Sequence, residues 1–116
     1  MAARVLTTAT GHEDPAPPCI RHVFIARDGS GAPGQRQPRG DAEARLLADL
    51  VLELARSDGF DTAQQRFNED VLGNVVYAVQ PDDPMEDLRR LAYSLLPGTM
   101  DVASSRWGYH VVLCVR

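Results

Sequence analysis

Two histidines stand inside apolar, β-branched text: His22 in "CIRHVFIA" and His110 in "WGYHVVLCV". An imidazole buried in a sheet strands a donor or an acceptor unless both ring nitrogens find partners. Each histidine is therefore either a satisfied core residue that fixes its strand or a working acid–base group, and the residue types leave both readings open. A shared metal site would need a third ligand at suitable spacing, and none is legible. Cys19 and Cys114 have no metal-ligand spacing either and read as two free thiols.

The elements that must carry these histidines belong to one domain. At 116 residues the chain buries a core without disulfide or metal staples. Its 44% apolar and 24% charged content is ordinary for a globular protein, and a net charge of −4 gives no reason to expect nucleic acid as a partner. No apolar run approaches the ~20 residues of a membrane span, and the N-terminal stretch has acids, a histidine and prolines where a signal peptide has an apolar block. A monomeric chain in the cytoplasm, with no membrane partner, is the expectation.

Residues 1–18 lack a clean period and end in proline-rich text, which predicts a mobile or loosely docked arm ahead of a domain over 19–116. Residues 19–26 read as a strand. "RDGSGAPGQRQPRG" reads as a loop. Asp41 offers an N-cap to a helix in which Leu47, Leu50, Val51 and Leu54 form the apolar stripe. "FDTAQQRFNED" predicts a second, shorter helix with Phe60, Ala63 and Phe67 on one face, and "NVVYAV" a short strand. A further helix is punctuated by Asp83 as N-cap, Pro84 at its first position, Glu86 in a capping box and Pro97-Gly98 as its stop, with Leu88, Leu91, Ala92 and Leu95 buried. Two strands joined by a serine-rich turn close the chain. This order has no βαβ rhythm, so it predicts an α+β domain on a small, mostly antiparallel sheet.

Several of these segments together resemble parvulin-type peptidyl-prolyl isomerases. "RHVFIA" resembles that family's first strand, "FDTAQQRFNED" its second-helix motif, and "LAYSLLPG" followed by "WGYHVVLCV" its Ala-Phe-Ser-Leu-x-Pro-Gly and Phe-Gly-Tyr-His-Ile-Ile-x-Val signatures. The resemblance covers about residues 20–116. It implies a four-stranded sheet surrounded by about four helices, with His22 and His110 on adjacent central strands under a substrate cleft. It also implies isomerisation of X-Pro bonds in protein segments by a non-covalent route, with no cofactor. Carried over by position, Asp70 takes the place of the family's active-site Asp or Cys, and Ser105 that of the hydroxyl near the second histidine. Met85 and Leu88 fall where a Met and a Phe line the proline pocket, Met85 one residue out of register. The family's Gly-Gly-Asp-Leu-Gly segment is absent, and the shorter "VLGNVVYAV" stands in its place.

Each of these positions also has a plainer reading. Asp70 is a helix-terminal acid, although an acid at a C-terminus opposes the macrodipole. Ser105 lies in a turn, where hydroxyls serve local backbone bonds. Arg36 and Arg39 flank a loop that in some parvulins reads an acid or phosphate before the proline, but solvated charges read the same way. Trp107 reads as packing. The competing functions are a non-catalytic, chaperone-like peptide-binding module on the same fold and, more remotely, a hydrolase using His110, Asp70 and Ser105, for which no nucleophile elbow is present.

Overall fold

The computed structural model describes residues 16–31 and 39–116, so Arg36 and nearly all of the expected N-terminal arm lie outside the described residues. The elements run β1 (Cys19–Ala26), α1 (Asp41–Asp58), α2 (Phe60–Phe67), β2 (Tyr77–Ala78), α3 (Glu86–Ser94), β3 (Met100–Ser105) and β4 (Gly108–Cys114). The strands form one sheet in the order β2-β1-β4-β3, every pairing antiparallel. This is the α+β architecture expected from the sequence, with three helices among the described residues.

Strand alternation divides the sheet into two faces. Val23, Ile25, Tyr109 and Val111 point to one side and pack under α1 and α2 with Val51, Leu52, Phe60 and Ala63. Ile20, Val112 and Ala103 point to the other and meet Leu88 and Ala92 of α3 and Val79. His22, Phe24 and His110 share this second face, because His22 pairs with Val112 and Phe24 with His110. α3 covers only part of it, and the uncovered part is where the histidines lie. Cys19 belongs to the first face and Cys114 to the second, and both thiols are buried and free.

Several local expectations need correction. The buried stripe of α1 is built on Ala44, Ala48, Val51, Leu52 and Ala55, whereas Leu50 is 58% exposed. Alanine at the contact lets the helix lie close on the sheet, where a row of leucines would hold it away. Gly40, not Asp41, is the N-cap of α1; its amide donates to the Glu43 side chain at 3.0 Å, while Asp41 accepts from the Tyr109 hydroxyl at 2.9 Å. α3 begins at Glu86, two residues later than Pro84 predicts, because the Asp83 carboxylate closes a local turn on the Met85 amide at 2.9 Å. "NVVYAV" contributes only the two paired residues Tyr77 and Ala78.

The Trp-Gly-Tyr-His run owes its glycine to the central pairing. Gly108 sits opposite Ala26 with φ of 153°, and a Cβ there would lie 2.1 Å from the Ile25 carbonyl oxygen. Gly108→Ala must therefore push β1 and β4 apart just before His110. We expect it to cost about 2–4 kcal/mol from backbone strain and overpacking. Urea unfolding of the variant beside the parent measures this, and an unchanged midpoint would mean that the strands meet differently.

Candidate active site

The position of Asp70 follows from how the chain completes the edge of β1. β2 pairs only with Cys19 and Ile20, which leaves the edge from His22 to Ala26 without a strand. Groups from α2, from the segment after it and from Arg39 fill it. Gln64 Nε2 donates to the His22 carbonyl at 3.0 Å, and the Phe24 amide donates to Asn68 Oδ1 at 2.9 Å. The Glu69 amide donates to the Phe24 carbonyl at 2.9 Å, and the Ala26 amide donates to Glu69 Oε1 at 2.8 Å. Arg39 closes the row, donating to the Ala26 carbonyl at 2.9 Å and to both Glu69 oxygens at 2.7 and 2.8 Å. Buried backbone groups need such partners, and an uncovered edge invites foreign strands. α2 stops at Phe67 so that Asn68, Glu69 and Asp70 can run along this edge, and Asp70 arrives beside His22.

A continuous hydrogen-bonded chain results. Asp70 Oδ2 lies 2.8 Å from His22 Nε2, His22 Nδ1 lies 3.0 Å from His110 Nδ1, and His110 Nε2 lies 2.8 Å from Ser105 Oγ. Tyr77 donates its hydroxyl to Asp70 Oδ2 at 2.6 Å, and the Leu72 amide donates to Oδ1 at 2.9 Å. At the far end the Trp107 amide donates to Ser105 Oγ at 3.2 Å.

Protonation in this chain is determined by its ends. Burial alone would raise the Asp70 carboxyl, but the bonds from Tyr77, Leu72 and His22 outweigh it and hold it below the ordinary carboxylate value. Burial pushes His22 down despite the bond and charge of Asp70, and burial with the neighbouring His22 pushes His110 to about 3. Both rings are therefore neutral at pH 7, each with one donor and one acceptor nitrogen. An ionised Asp70 can only accept, so His22 Nε2 carries the proton and Nδ1 a lone pair. His110 Nδ1 must then donate, and His110 Nε2 accepts from the Ser105 hydroxyl. The network assigns every proton in one direction, and the His22–Asp70 contact is a hydrogen bond to a charge rather than an ion pair.

Above this floor opens a cleft of about 370 Å³. His22, His110 and Asp70 line it together with Phe24, Met85, Leu88 and Val79, and with Val71, Leu72, Tyr77 and Trp107. Phe24 packs against His110 with ring centroids 5.0 Å apart. Among the described residues, the structure thus gathers His22, His110, Asp70, Met85 and Leu88 at one place. Ser105 does not line the cleft and reaches it only through His110. His110 Nδ1 faces His22, not a carboxylate, so Ser105, His110 and Asp70 do not form a hydrolytic triad. Arg39, expected as a substrate contact, donates to Glu69 and Ala26 and is not among the residues lining the cleft. No group of three or more His, Cys, Asp or Glu among the described residues could hold a metal ion.

Phe24, Tyr77 and Trp107 are among the cleft residues that the sequence reading left out. Phe24 was accessible, since it lies two residues from His22 and a strand repeats its face every second residue. Trp107, read as packing, is half-buried with Arg106 stacked 4.1 Å above its ring and one side open to the cleft. For Tyr77 no sequence signal existed, because its partner is reached across a loop.

The fold has known counterparts. The chain superposes on the PPIase domain of TbPAR42 with a TM-score of 0.74 at 20% identity, covering 85% of this chain and 99% of that one. On the solution structure of TbPIN1 the TM-score is 0.60 at 15% identity, covering 87% and 98%. The fold is parvulin-like. No family model matches the sequence, and no curated protein matches it. At this identity the likeness shows the fold alone, and the chemistry rests on the residues described above.

Two outcomes follow from the buried network. An unfolded histidine titrates near ~6.5, whereas folded His110 titrates at about 3 and folded His22 lower than usual. Within that window the unfolded chain binds more protons. Stability is therefore full above pH ~6.5 and falls as pH drops through the window, by up to ~1.4 kcal/mol per unit for each histidine. Urea midpoints between pH 7.5 and 4.5 measure this; midpoints independent of pH would contradict neutral histidines. Arg39→Ala, in turn, unpairs Glu69 and the Ala26 carbonyl and should lower stability by about 1–3 kcal/mol, read as a lower melting temperature.

Proposed function

We propose that the protein is a peptidyl-prolyl cis/trans isomerase that takes proline-containing segments of other proteins into this cleft. The observation that carries the reading is the combination in one cavity of apolar walls and a floor of two neutral, fully hydrogen-bonded histidines. The parvulin-like fold, shared with the PPIase domain of TbPAR42, supports it. In this reading the prolyl ring rests against Phe24, Met85 and Leu88, and the peptide bond before it lies over His22, His110 and Asp70.

The reaction asks little covalent chemistry of the protein. Rotation faces a barrier of ~18–20 kcal/mol because resonance gives the C–N bond partial double-bond character. The planar amide is the more polar form, and water stabilises it. A cleft that removes water and holds the ring favours the twisted amide, in which that resonance is lost. Histidines that stay neutral suit this role better than charged ones, since a buried cation would draw water in. No bond to carbon breaks, so no nucleophile is needed, and Ser105 acts by setting the His110 ring through its hydroxyl. No metal or cofactor is required.

Val71 and Leu72, both exposed at the cleft, offer apolar contact to residues flanking the proline. With Arg39 engaged by Glu69, we do not assign it the recognition of an acid before the proline; a contribution of Arg36 remains a proposal. NMR exchange with peptides carrying Ala, Glu or phosphoserine before Pro tests the reading. Ala-Pro should be isomerised above the spontaneous rate and at least as well as Glu-Pro. Met85→Ala removes wall contact worth ~1–1.5 kcal/mol and should lower kcat/KM about tenfold. Shift changes at the cleft with no added exchange on any peptide would replace the enzyme by a peptide-binding module.

A further inference from the structure

Tyr77 occupies a position no other residue of the cleft shares. It stands on the two-residue strand β2, and its register is fixed by pairing with Ile20 and by the Val79 amide on the Pro18 carbonyl at 2.9 Å. Its ring meets His22 edge-on, centroids 5.1 Å apart at 68°. Its hydroxyl donates at 2.6 Å to Asp70 Oδ2, the same oxygen that accepts His22 Nε2–H. Asp70 itself lies on a linker without regular structure, so the donors around it decide where its carboxylate points.

That orientation matters because the chain from Asp70 to Ser105 has two possible directions. With Asp70 ionised, each proton points toward the carboxylate: Ser105 to His110, His110 to His22, His22 to Asp70. One proton added to Asp70 reverses every bond, with Asp70 donating to His22 Nε2, His22 Nδ1 to His110 Nδ1, and His110 Nε2 to Ser105. The second form has the other tautomer on both rings and presents a different floor to the cleft. A phenol donating to Oδ2 stabilises the ionised carboxylate and disfavours a proton on it.

We propose that Tyr77 is the positioning residue that sets the polarity of this chain, acting through the Asp70 carboxylate. The groups facing Asp70 are His22 from β1 and Tyr77 from β2, with His110 of β4 one ring beyond. Glu69 lies beside it, neutralised by Arg39. Tyr77 is thus the one titratable neighbour from β2 that donates to the carboxylate without being a member of the His–His relay. Its effect on turnover rests on the isomerase reading; its effect on the protons of the chain does not.

Tyr77→Phe keeps the ring, its edge contact and the strand, and removes only the hydroxyl. Carboxyl carbon titration of Asp70 and ring nitrogen spectra of His22 and His110 are to be recorded for parent and variant. The parent should show one tautomer on each ring, Nε2–H on His22 and Nδ1–H on His110. In the variant the Asp70 titration should rise by about one pH unit, the scale of one hydrogen bond to a charge, and both tautomers should mix at a correspondingly higher pH. The acid limb of the isomerisation profile should move with it, kcat falling about tenfold near that limb with KM nearly unchanged. An Asp70 titration and ring spectra identical to the parent's would overturn the proposal. If the parent shows no isomerisation, the enzyme reading falls while the nitrogen and carbon spectra still decide the role of Tyr77. The parent also offers a test without substitution: its Tyr77 hydroxyl proton should exchange slowly and lie near His22 in proton–proton contacts, and a hydroxyl exchanging freely with water would equally overturn the proposal.

Discussion

Two imidazoles buried face to face under a cleft impose the constraint around which this molecule is arranged. His22 is 6% and His110 3% exposed, so water cannot partner their four ring nitrogens, and the protein must. An unpaired buried donor or acceptor costs about 1–3 kcal/mol, a large share of the roughly 5–15 kcal/mol that holds a domain folded. The two rings satisfy one nitrogen of each other. The remaining two need an acceptor at one end and a donor at the other, which Asp70 and Ser105 provide. The chain cannot be shortened by a member without stranding a nitrogen, and this explains why residues so far apart in sequence meet here.

The requirement reaches into the architecture. For Asp70 to arrive at His22, α2 has to end early and the linker after it has to run along β1. A full-length strand on that edge would pair with the same backbone groups and displace the carboxylate. β2 is accordingly two residues long, and Asn68, Glu69, Gln64 and Arg39 supply the missing ladder bonds from side chains. The cost is that four polar side chains serve the backbone rather than a ligand. Arg39 is the clearest case: a cation beside a cleft whose donors are already engaged by Glu69 and a carbonyl.

What was legible in the sequence divides along the same line. Strand β1, helix α1, the final hairpin and the histidines could be read because their signals are local: alternation, an apolar period, a glycine where two strands close. Met85 and Leu88 were named for the pocket through the resemblance alone; they stand at the N-cap and in the first turn of α3. The buried face of α1 was misplaced because leucines outweigh alanines in any hydrophobic count, while the sheet selects for small residues at close contact. The start of α3 was misplaced because Pro84 suits a first helical turn, yet the Asp83 carboxylate competes for the Met85 amide. The edge repair of β1 was invisible, since each of its bonds joins residues at least 13 apart. Tyr77 belongs to that class: as sequence it is one more strand-forming aromatic.

The segment between Asp70 and Val79 takes its role from the packing around the carboxylate. A tyrosine there brings a donor that does not ionise near neutral pH, because burial and then the Asp70 carboxylate both raise its phenol. Its ring also meets His22 edge-on, with centroids 5.1 Å apart, beside a His22–Asp70 bond whose side chains are 8% and 14% exposed. A hydrogen bond to a charge strengthens as water is excluded, since the local dielectric falls. This segment thus holds the carboxylate from one side, while the neutrality of both histidines comes from their burial, against the pull of the Asp70 charge on His22.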